Sequence, residues 1–353
     1  MRECGAVSNN VKGKRPTSRD VARLASVSHT TVSFVVNNVP TASISEETRA
    51  RVHAAIAQLD YHPHEAARNL GRQASRVITV AVPEAHNAHH QETVAGVEEY
   101  ARERGYSIVR AITNFDHDEE RRCLGWLKQR RTDGLILSIT PGRALEDEIR
   151  ALSARGHVIT RLGTHDAMVD SVMVEEAAGE RQVLDHLIGL GHRRIGYIYG
   201  VADHDALRGR LEMCLSCQRE HGLPVVDRWV RRCGPTLAEG YGATRALLAA
   251  CQGATHPSAL VVVNDLLASA VLSALFAEGV AVPADMSVVS FDNTPLAAYM
   301  IPPLTSVDCE ARSMGARAAR LTIERLDAPQ PLPVHLETRA RLIARQSSGP
   351  APS

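Results

Sequence analysis

A cluster of histidines is the first feature of this sequence that could carry chemistry. His86, His89 and His90 lie together just before a predicted helix. Imidazole binds transition metals and changes its charge near neutral pH, so the cluster could form a metal site or a pH sensor. Loop histidines are more often simply solvated. We predict no bound metal here and keep the sensor role as an alternative.

A second group combines two cysteines and a histidine. Cys214, Cys217 and His221 have the spacing i, i+3, i+7, which places them on one face of a helix. A zinc site needs a second pair of ligands, and no such pair follows at the usual spacing. The seven cysteines are odd in number and scattered, which is typical of reduced thiols. We therefore predict no zinc and no disulfide framework.

Motifs for catalysis and for membrane insertion are missing from the sequence. There is no Walker-type phosphate loop, no glycine-rich dinucleotide turn after the first predicted strand and no serine elbow. No apolar run approaches the roughly 18 residues of a membrane span, and the start lacks the apolar stretch of a secretion signal. We expect a cytoplasmic protein that is not an enzyme, with no cofactor and no membrane partner.

The charge is concentrated at one end of the chain. The formal net charge is zero, but between Lys12 and Arg76 ten Lys and Arg residues stand against five Asp and Glu residues. That segment carries +5, and the remainder is acidic to the same extent. Such a basic head on an acidic body is expected when only the head meets phosphate groups.

The basic segment has the pattern of three short helices. Thr17 lies three residues before Asp20, which predicts a capped first helix, and Ser28 can cap a second helix from His29 to Asn37. Ser45 caps a third helix with one apolar stripe. This stripe consists of Val52, Ala55, Ile56 and Leu59. Two helices joined by a tight turn suggest a helix-turn-helix, although periodicity alone also permits a helical bundle without a DNA role.

The segment resembles the headpiece of the lactose repressor (LacI/GalR) family. The matching strings are SRDVARLA at 18–25, VSHTTVS at 27–33, Asn37, SEETR at 45–49 and YHP at 61–63. In that family the second helix reads the major groove. The resemblance implies that the DNA-contacting residues of the headpiece are Thr17, Ser28, His29, Thr30, Thr31, Ser33, Phe34 and Asn37.

The residues expected to read bases include no arginine. Thr30 can hydrogen-bond to several base edges, His29 can donate or accept, and Phe34 can only pack, for instance on a thymine methyl group. We therefore expect specificity to depend on apolar contact and on DNA shape.

A short segment after the headpiece matches the family's hinge helix. Pro63 suits the first position of a helix and Gly71 its end, which leaves room for two turns that would not hold a helix alone in water. In the family this helix orders on DNA and inserts a leucine into the minor groove. Leu70 occupies that place, with Arg68 and Asn69 beside it. Alternatively, Leu70 is a linker residue that packs on the core.

From Val77 onward, short β-rich runs alternate with amphipathic helices. Alternating β and α units predict a parallel sheet covered by helices, and two such series predict two lobes, followed by a final pair of strands. This pattern resembles the family's core, which is similar to periplasmic binding proteins. The predicted fold class is an all-α helix-turn-helix headpiece followed by an α/β core of two parallel-sheet lobes.

The family resemblance also implies a ligand pocket between the lobes. Ligands of open parallel sheets bind beyond the carboxyl ends of the strands. Arg210, Asn264 and Asp292 match polar ligand contacts of the family, and His89 and His90 replace the aromatic residues that many sugar-binding members have after the first strand. The replacement argues against a simple hexose. Alternatively, Asn264 closes a turn and Asp292 caps a helix.

Taken together, these features predict a transcriptional repressor whose operator affinity is controlled by a small-molecule effector, a sugar or a related polar metabolite. Its partners would be a near-palindromic DNA operator, the effector and a second copy of the chain. A solute-binding sensor without DNA regulation is the alternative. The predicted boundaries are a disordered tail at 1–13, a DNA-binding domain at 14–62, a hinge at 63–75, a core at 76–340 and a flexible tail at 341–353.

Overall fold

The structure, a computed structural model, describes residues 16–36, 43–61, 74–138, 143–163, 168–200, 205–253, 255–328 and 332–352, except for the side chains at 143, 144, 200 and 205–210. The chain divides into two compact units, residues 1–75 and 76–353. The predicted tail at 1–13 and the hinge helix, with Arg68, Asn69 and Leu70, lie outside the described residues, as does Asn37.

The described part of the first unit contains three helices around a small apolar core. They are α1 (Ser18–Leu24), α2 (His29–Val36) and α3 (Glu46–Gln58). Val52 and Ala55 of the predicted stripe are buried, and Ile56 and Leu59 pack against the same cluster. A helix period of 3.6 residues places these four side chains on one face, which explains why the stripe was visible in the sequence.

The second unit is an α/β core with two six-stranded sheets. The strands are β1 (Val77–Val82), β2 (Ser107–Ile112), β3 (Gly134–Ser138), β4 (Val158–Leu162), β5 (Asp170–Val174), β6 (Ile195–Gly200), β7 (Val230–Cys233), β8 (Ala259–Val262), β9 (Ser287–Asp292), β10 (Thr305–Asp308), β11 (His335–Thr338) and β12 (Arg341–Ile343). The helices are α4 (Ala88–Glu103), α5 (His117–Lys128), α6 (Arg143–Ala154), α7 (Glu176–Gly189), α8 (Asp205–Glu220), α9 (Leu237–Ala250), α10 (Asp265–Ala277) and α11 (Ala311–Asp327).

Each sheet belongs to one lobe. The N-lobe sheet has the order β11-β5-β4-β3-β1-β2, and all its strands are parallel; the C-lobe sheet has the order β12-β10-β9-β8-β6-β7, in which only β12 is antiparallel. Strands β1 and β3 consist mainly of buried apolar residues, as expected for sheets covered by helices on both faces. The predicted fold class is confirmed.

The described chain passes between the two lobes at three places. It leaves β5 of the N-lobe for α7 of the C-lobe, leaves β10 of the C-lobe for α11, and leaves β11 for β12. Helix α11 packs on α4 of the N-lobe. The two helices approach so closely that a Cβ atom on Gly96 would lie 2.0 Å from the Arg312 carbonyl oxygen, and one on Gly315 would lie 1.9 Å from that of Thr93. This contact requires glycine at both positions.

The end of the chain differs from the prediction in two ways. The final strands do not pair with each other, because β11 joins the N-lobe sheet beside β5 and β12 joins the C-lobe sheet beside β10. The expected flexible tail at 341–353 is instead ordered through residue 352. Ser347 is buried and donates to the Val288 carbonyl oxygen at 2.6 Å, and His192 Nε2 lies 3.0 Å from the Gly349 carbonyl oxygen. Serine, glycine and proline suggested disorder, but here small residues fit against the lobe and satisfy buried polar groups.

Candidate functional site

The exposed side of α2 presents the side chains expected to read DNA. Ser28 Oγ accepts a hydrogen bond from the backbone N–H of Thr31 at 3.0 Å and so caps the helix. The valines on the other side of α2 are buried in the three-helix core, which leaves Thr30 exposed and Phe34 39% exposed. Ser33 is half-buried. The arrangement can offer one hydroxyl and one apolar ring to a groove.

Hydrogen bonds within the first unit already involve two of the expected DNA contacts. His29 Nε2 lies 2.8 Å from Ser18 Oγ, so the imidazole is held against α1. The backbone N–H and the hydroxyl of Thr17 both donate to the Asp20 carboxylate, at 2.9 and 2.7 Å, in the predicted capping box. His29 therefore has only its other ring nitrogen available for a base while the Ser18 contact holds.

The two lobes meet at a histidine and an aspartate in the core. His89 lies in the first turn of α4 in the N-lobe, and Asp292 ends β9 in the C-lobe. His89 Nδ1 lies 3.2 Å from Asp292 Oδ1, and both side chains are largely buried. These residues also line a cavity of about 240 Å³ between the lobes. Two of the predicted effector contacts are thus brought together, although they are far apart in sequence.

The position of His89 is fixed by the cap of its helix. Asn87 Oδ1 accepts a hydrogen bond from the His89 backbone N–H at 3.0 Å, and the Asn87 amide donates to Glu84 Oε2 at 3.3 Å. Burial raises the pKa of Glu84, and the negative charge of Asp292 adds to this increase, whereas the bond from Asn87 opposes it. The start of α4 is therefore a connected polar group rather than a set of solvated loop residues.

His90 is buried in the N-lobe beside this group. Its Nε2 lies 3.9 Å from Glu84 Oε2. Burial lowers the pKa of His90 to about 3, and the neighbouring His89 contributes to the decrease. A neutral imidazole remains at any physiological pH, so His90 can act as a hydrogen-bond donor or acceptor but not as a pH sensor.

Asp292 is held in place by a network that the sequence analysis did not identify. The backbone of Asp292 has φ of +100°, an unusual conformation for a residue other than glycine. The following turn is anchored by Asp265, a buried residue in the first turn of α10, which accepts hydrogen bonds from the backbone N–H of Thr294 at 2.6 Å and from its hydroxyl at 2.9 Å. Arg345 donates to Asn293 Oδ1 at 2.6 Å.

Two serine hydroxyls complete the surroundings of Asp265. Ser290 of β9 and Ser306 of β10 donate to Asp265 Oδ1 at 2.5 and 2.7 Å. Burial raises the pKa of Asp265 to about 6, and Asp292 adds to the increase, while these hydrogen bonds oppose it. The signal for this residue was its place directly after a predicted strand, but its partners come from two other strands and a turn.

The other predicted effector contacts are placed differently. Asn264 Oδ1 accepts a hydrogen bond from the Leu267 backbone N–H at 2.9 Å, so Asn264 caps α10. Its role as an effector contact stays a prediction. Arg210 lies within α8, and its side chain is outside the described residues.

Two of the residues considered as metal ligands, Cys214 and His221, have protein partners. Cys214 Sγ lies 2.9 Å from the Tyr199 hydroxyl oxygen, and His221 Nδ1 lies 2.7 Å from the Cys217 carbonyl oxygen. Burial raises the pKa of the Cys217 thiol, which disfavours a thiolate ligand. Within the described ranges, no three His, Cys, Asp or Glu side chains come together as a metal site.

Comparisons with known proteins match both units. Residues 17–64 match the family model described as bacterial regulatory proteins, lacI family, and residues 184–348 match that of the periplasmic binding protein-like domain. The HTH-type transcriptional repressor PurR of Photobacterium profundum is 32% identical, over 88% of this chain and 92% of its own length. The ribose operon repressor of Escherichia coli is also 32% identical, over 94% of this chain and 99% of its own length.

This chain belongs to the LacI family. A crystal structure of the lac repressor dimer bound to operator and an anti-inducer covers 95% of this chain and all of that chain, with 26% identity and a TM-score of 0.83. As a LacI-family member, the protein is a DNA-binding transcription regulator that responds to a small-molecule effector. No described helix is long and apolar enough to span a membrane.

Proposed function

We propose that this LacI-family protein is a cytoplasmic, homodimeric repressor without catalytic activity, whose effector binds between His89 and Asp292. The 3.2 Å contact between these two side chains is the observation that carries the proposal. A ligand that enters this position must replace a direct contact between the lobes with its own contacts. Such a replacement changes how the lobes are held together, and this gives the ligand a physical means of shifting the protein between states.

The chemistry of the pair indicates a small polyhydroxylated effector. Asp292 is an acceptor, and the imidazoles of His89 and His90 can donate or accept, so the site suits alternating hydroxyl groups. The aromatic surface that stacks on a hexose ring is replaced by the two histidines. Relatives named for a ribose operon are consistent with a compact ligand of this class.

On the DNA side, we propose that Thr30 and Phe34 read bases and that Leu70 enters the minor groove of a near-palindromic operator. Selection from a random duplex pool with the full chain would identify the operator. Thr30→Ala and Phe34→Ala should each weaken operator binding by about 1 to 3 kcal/mol, because each removes one base contact. Leu70→Ala should abolish sensitivity to the central base step. Recovery of no enriched sequence would contradict this assignment.

The effector site is tested with the selected operator as a probe. Polyols, pentoses, nucleosides and purine bases would be titrated against the operator complex, and the active compound would then be tested on Asp292→Asn and His89→Ala. Both variants should retain operator binding but require a concentration of effector at least tenfold higher, a loss of about 1.4 kcal/mol. Exposed Asp285, at the far edge of the C-lobe, provides the matched control Asp285→Asn. An unchanged effector response in both site variants would place the effector elsewhere.

A further inference from the structure

The edge of the N-lobe where the chain enters the core is lined by arginines. All six strands of the N-lobe sheet are parallel, so the turns that precede them lie along one edge. The peptide bond from Ser75 to Arg76 joins the DNA-binding unit to the core at this edge, directly before β1. The exposed arginines of these turns are Arg76, Arg104, Arg130, Arg131 and Arg155. We call this set the arginine edge.

His157 lies within the arginine edge and has several cations near its imidazole. It is half-buried in the turn before β4. Its pKa is lowered first by burial and then by three nearby cations, Arg130, Arg155 and Lys128. The charged groups that act on this imidazole are therefore all positive. Cations from two separate turns converge on one site.

Part of this positive charge is available to a partner. Lys128 pairs with Glu148 at 2.5 Å, and Arg104 lies 3.4 Å from Glu103. In contrast, Arg131 and Arg155 make no ion pair with any residue that the structure describes. The five arginines outnumber the acids of the same turns, Glu103 and Asp133, and clustered cations in excess repel one another, so an external polyanion relieves that repulsion.

The corresponding edge of the C-lobe has a different character. Arg193 and Arg194, before β6, donate to backbone carbonyl oxygens at about 3 Å and thereby stabilise the C-lobe. The turns before β7 and β9 carry three acids, Asp227, Glu278 and Asp285, beside one exposed arginine, Arg228. The arginine edge is therefore a property of the lobe to which the DNA-binding unit is joined, and it does not follow from the repeated α/β architecture.

We propose that the arginine edge binds phosphates of the duplex that flanks the operator. This inference goes beyond operator reading and rests on the DNA-binding function. Double-stranded DNA is the polyanion that this protein holds, and the chain that holds it enters the core at this edge. Guanidinium groups bind phosphate oxygens in a bidentate manner, independently of base sequence. The edge thus adds affinity for flanking DNA without adding specificity.

The test compares two duplexes that share one operator. The short duplex ends at the operator, and the long duplex adds two helical turns of arbitrary sequence on each side. The full chain should bind the long duplex more tightly and with a steeper dependence on salt. Arg131→Ala/Arg155→Ala should lose this gain, roughly five- to tenfold in affinity, and its salt slope on the long duplex should be smaller by about 4 per dimer, because two phosphate contacts are lost in each of the two subunits.

A double variant of the C-lobe controls for net charge. Arg219→Ala/Arg228→Ala removes the same charge from exposed positions and should retain the gain on the long duplex. Equal affinities of the wild-type chain for the two duplexes, or equal losses in the two double variants, would overturn the inference. A wild-type chain that binds neither duplex would overturn the DNA-binding function and this inference with it. Unchanged binding of the short duplex by both variants would verify that they are folded.

Discussion

Asp265 in the C-lobe and Glu120 in the N-lobe are both fully buried acids, but their surroundings differ. Asp265 accepts four hydrogen bonds, from two serine hydroxyls and from the backbone and hydroxyl of one threonine. The Glu120 carboxylate oxygens accept none from the described residues, and His117 Nδ1 lies 3.5 Å away. Burial raises the pKa of Asp265 to about 6 and that of Glu120 to about 8.

The difference shows how a buried charge becomes useful to a site. Burial penalises the ionised form of both acids, but only Asp265 receives hydrogen bonds that compensate for the loss of water. Those bonds also fix the turn after β9 and thereby the position of Asp292. Glu120 positions no described group in this way, so its burial is mainly a cost at neutral pH, reduced in part by the charge of Arg161.

The largest effect is expected when the Asp265 network is removed. Asp265→Ala leaves three hydroxyls and one backbone N–H buried without their acceptor, so the free energy of unfolding should fall by about 3 to 5 kcal/mol. Urea denaturation followed by tryptophan fluorescence would measure the loss, because Trp229 packs in the C-lobe core. Asp265→Ala should also bind the effector more weakly, because the turn that positions Asp292 is no longer held by hydrogen bonds.

The control for this substitution is Asp285→Ala, which removes one exposed acceptor for the Ala281 N–H. It should cost less than 1 kcal/mol. If Asp265→Ala cost no more than this control, the four hydrogen bonds would not be what holds the turn, and the contrast with Glu120 would fail.

Substitution of Glu120 should change the free energy of unfolding in the opposite direction, with an increase instead of a loss. The folded pKa of about 8 lies above the ordinary value of 4.5, so the folded state binds the proton more tightly and stability falls as pH rises between these two values. Glu120→Gln removes this dependence and should stabilise the protein by about 2 kcal/mol at pH 8. Denaturation of both proteins at pH 5, 6, 7 and 8 would test it, with pH values chosen to span the shift. A wild type whose stability stays level relative to Glu120→Gln over this range would contradict the assignment.

Patterns within single segments of the sequence were sufficient to predict the helices, the strands and the two lobes. The three helices of the first unit and the two lobes follow from helical and strand periodicity, whereas His89 and Asp292 were predicted as effector contacts from the resemblance to the LacI family. The role of Asp265 could not be predicted, because its partners Ser290, Ser306 and Thr294 come from later segments that only the folded sheet brings together. The cap formed by Asn264 was not predicted for a related reason: a polar residue after a strand can equally face a ligand or cap the next helix.

The ordered segment at the end of the chain was not predicted from the sequence, for a similar reason. Composition describes what a segment could do alone in water. In the folded protein, the Ser347 hydroxyl donates to the Val288 carbonyl oxygen and accepts from the Thr305 backbone N–H. Small polar residues are compatible with disorder and equally with a close fit against a finished sheet. A prediction from composition cannot distinguish these cases when the partners lie more than forty residues away in sequence.

Glu84 is intermediate between the two acids and gives the smallest effect. It receives one hydrogen bond, from Asn87, which also caps α4 beneath His89. Asn87→Ala removes both contacts, so unfolding should become easier by about 1 kcal/mol and the pKa of Glu84 should rise further above its ordinary value. Carbon-13 shifts of labelled glutamate side chains, followed through a pH titration, would measure the change. Asn87→Asp retains the cap but replaces the amide donor with a second carboxylate, so it should raise the pKa of Glu84 more than Asn87→Ala does while costing less stability through the cap. If Asn87→Ala left the titration of Glu84 unchanged, a single hydrogen bond would not tune a buried acid here, and the ordering of Asp265, Glu84 and Glu120 by their donors would not hold.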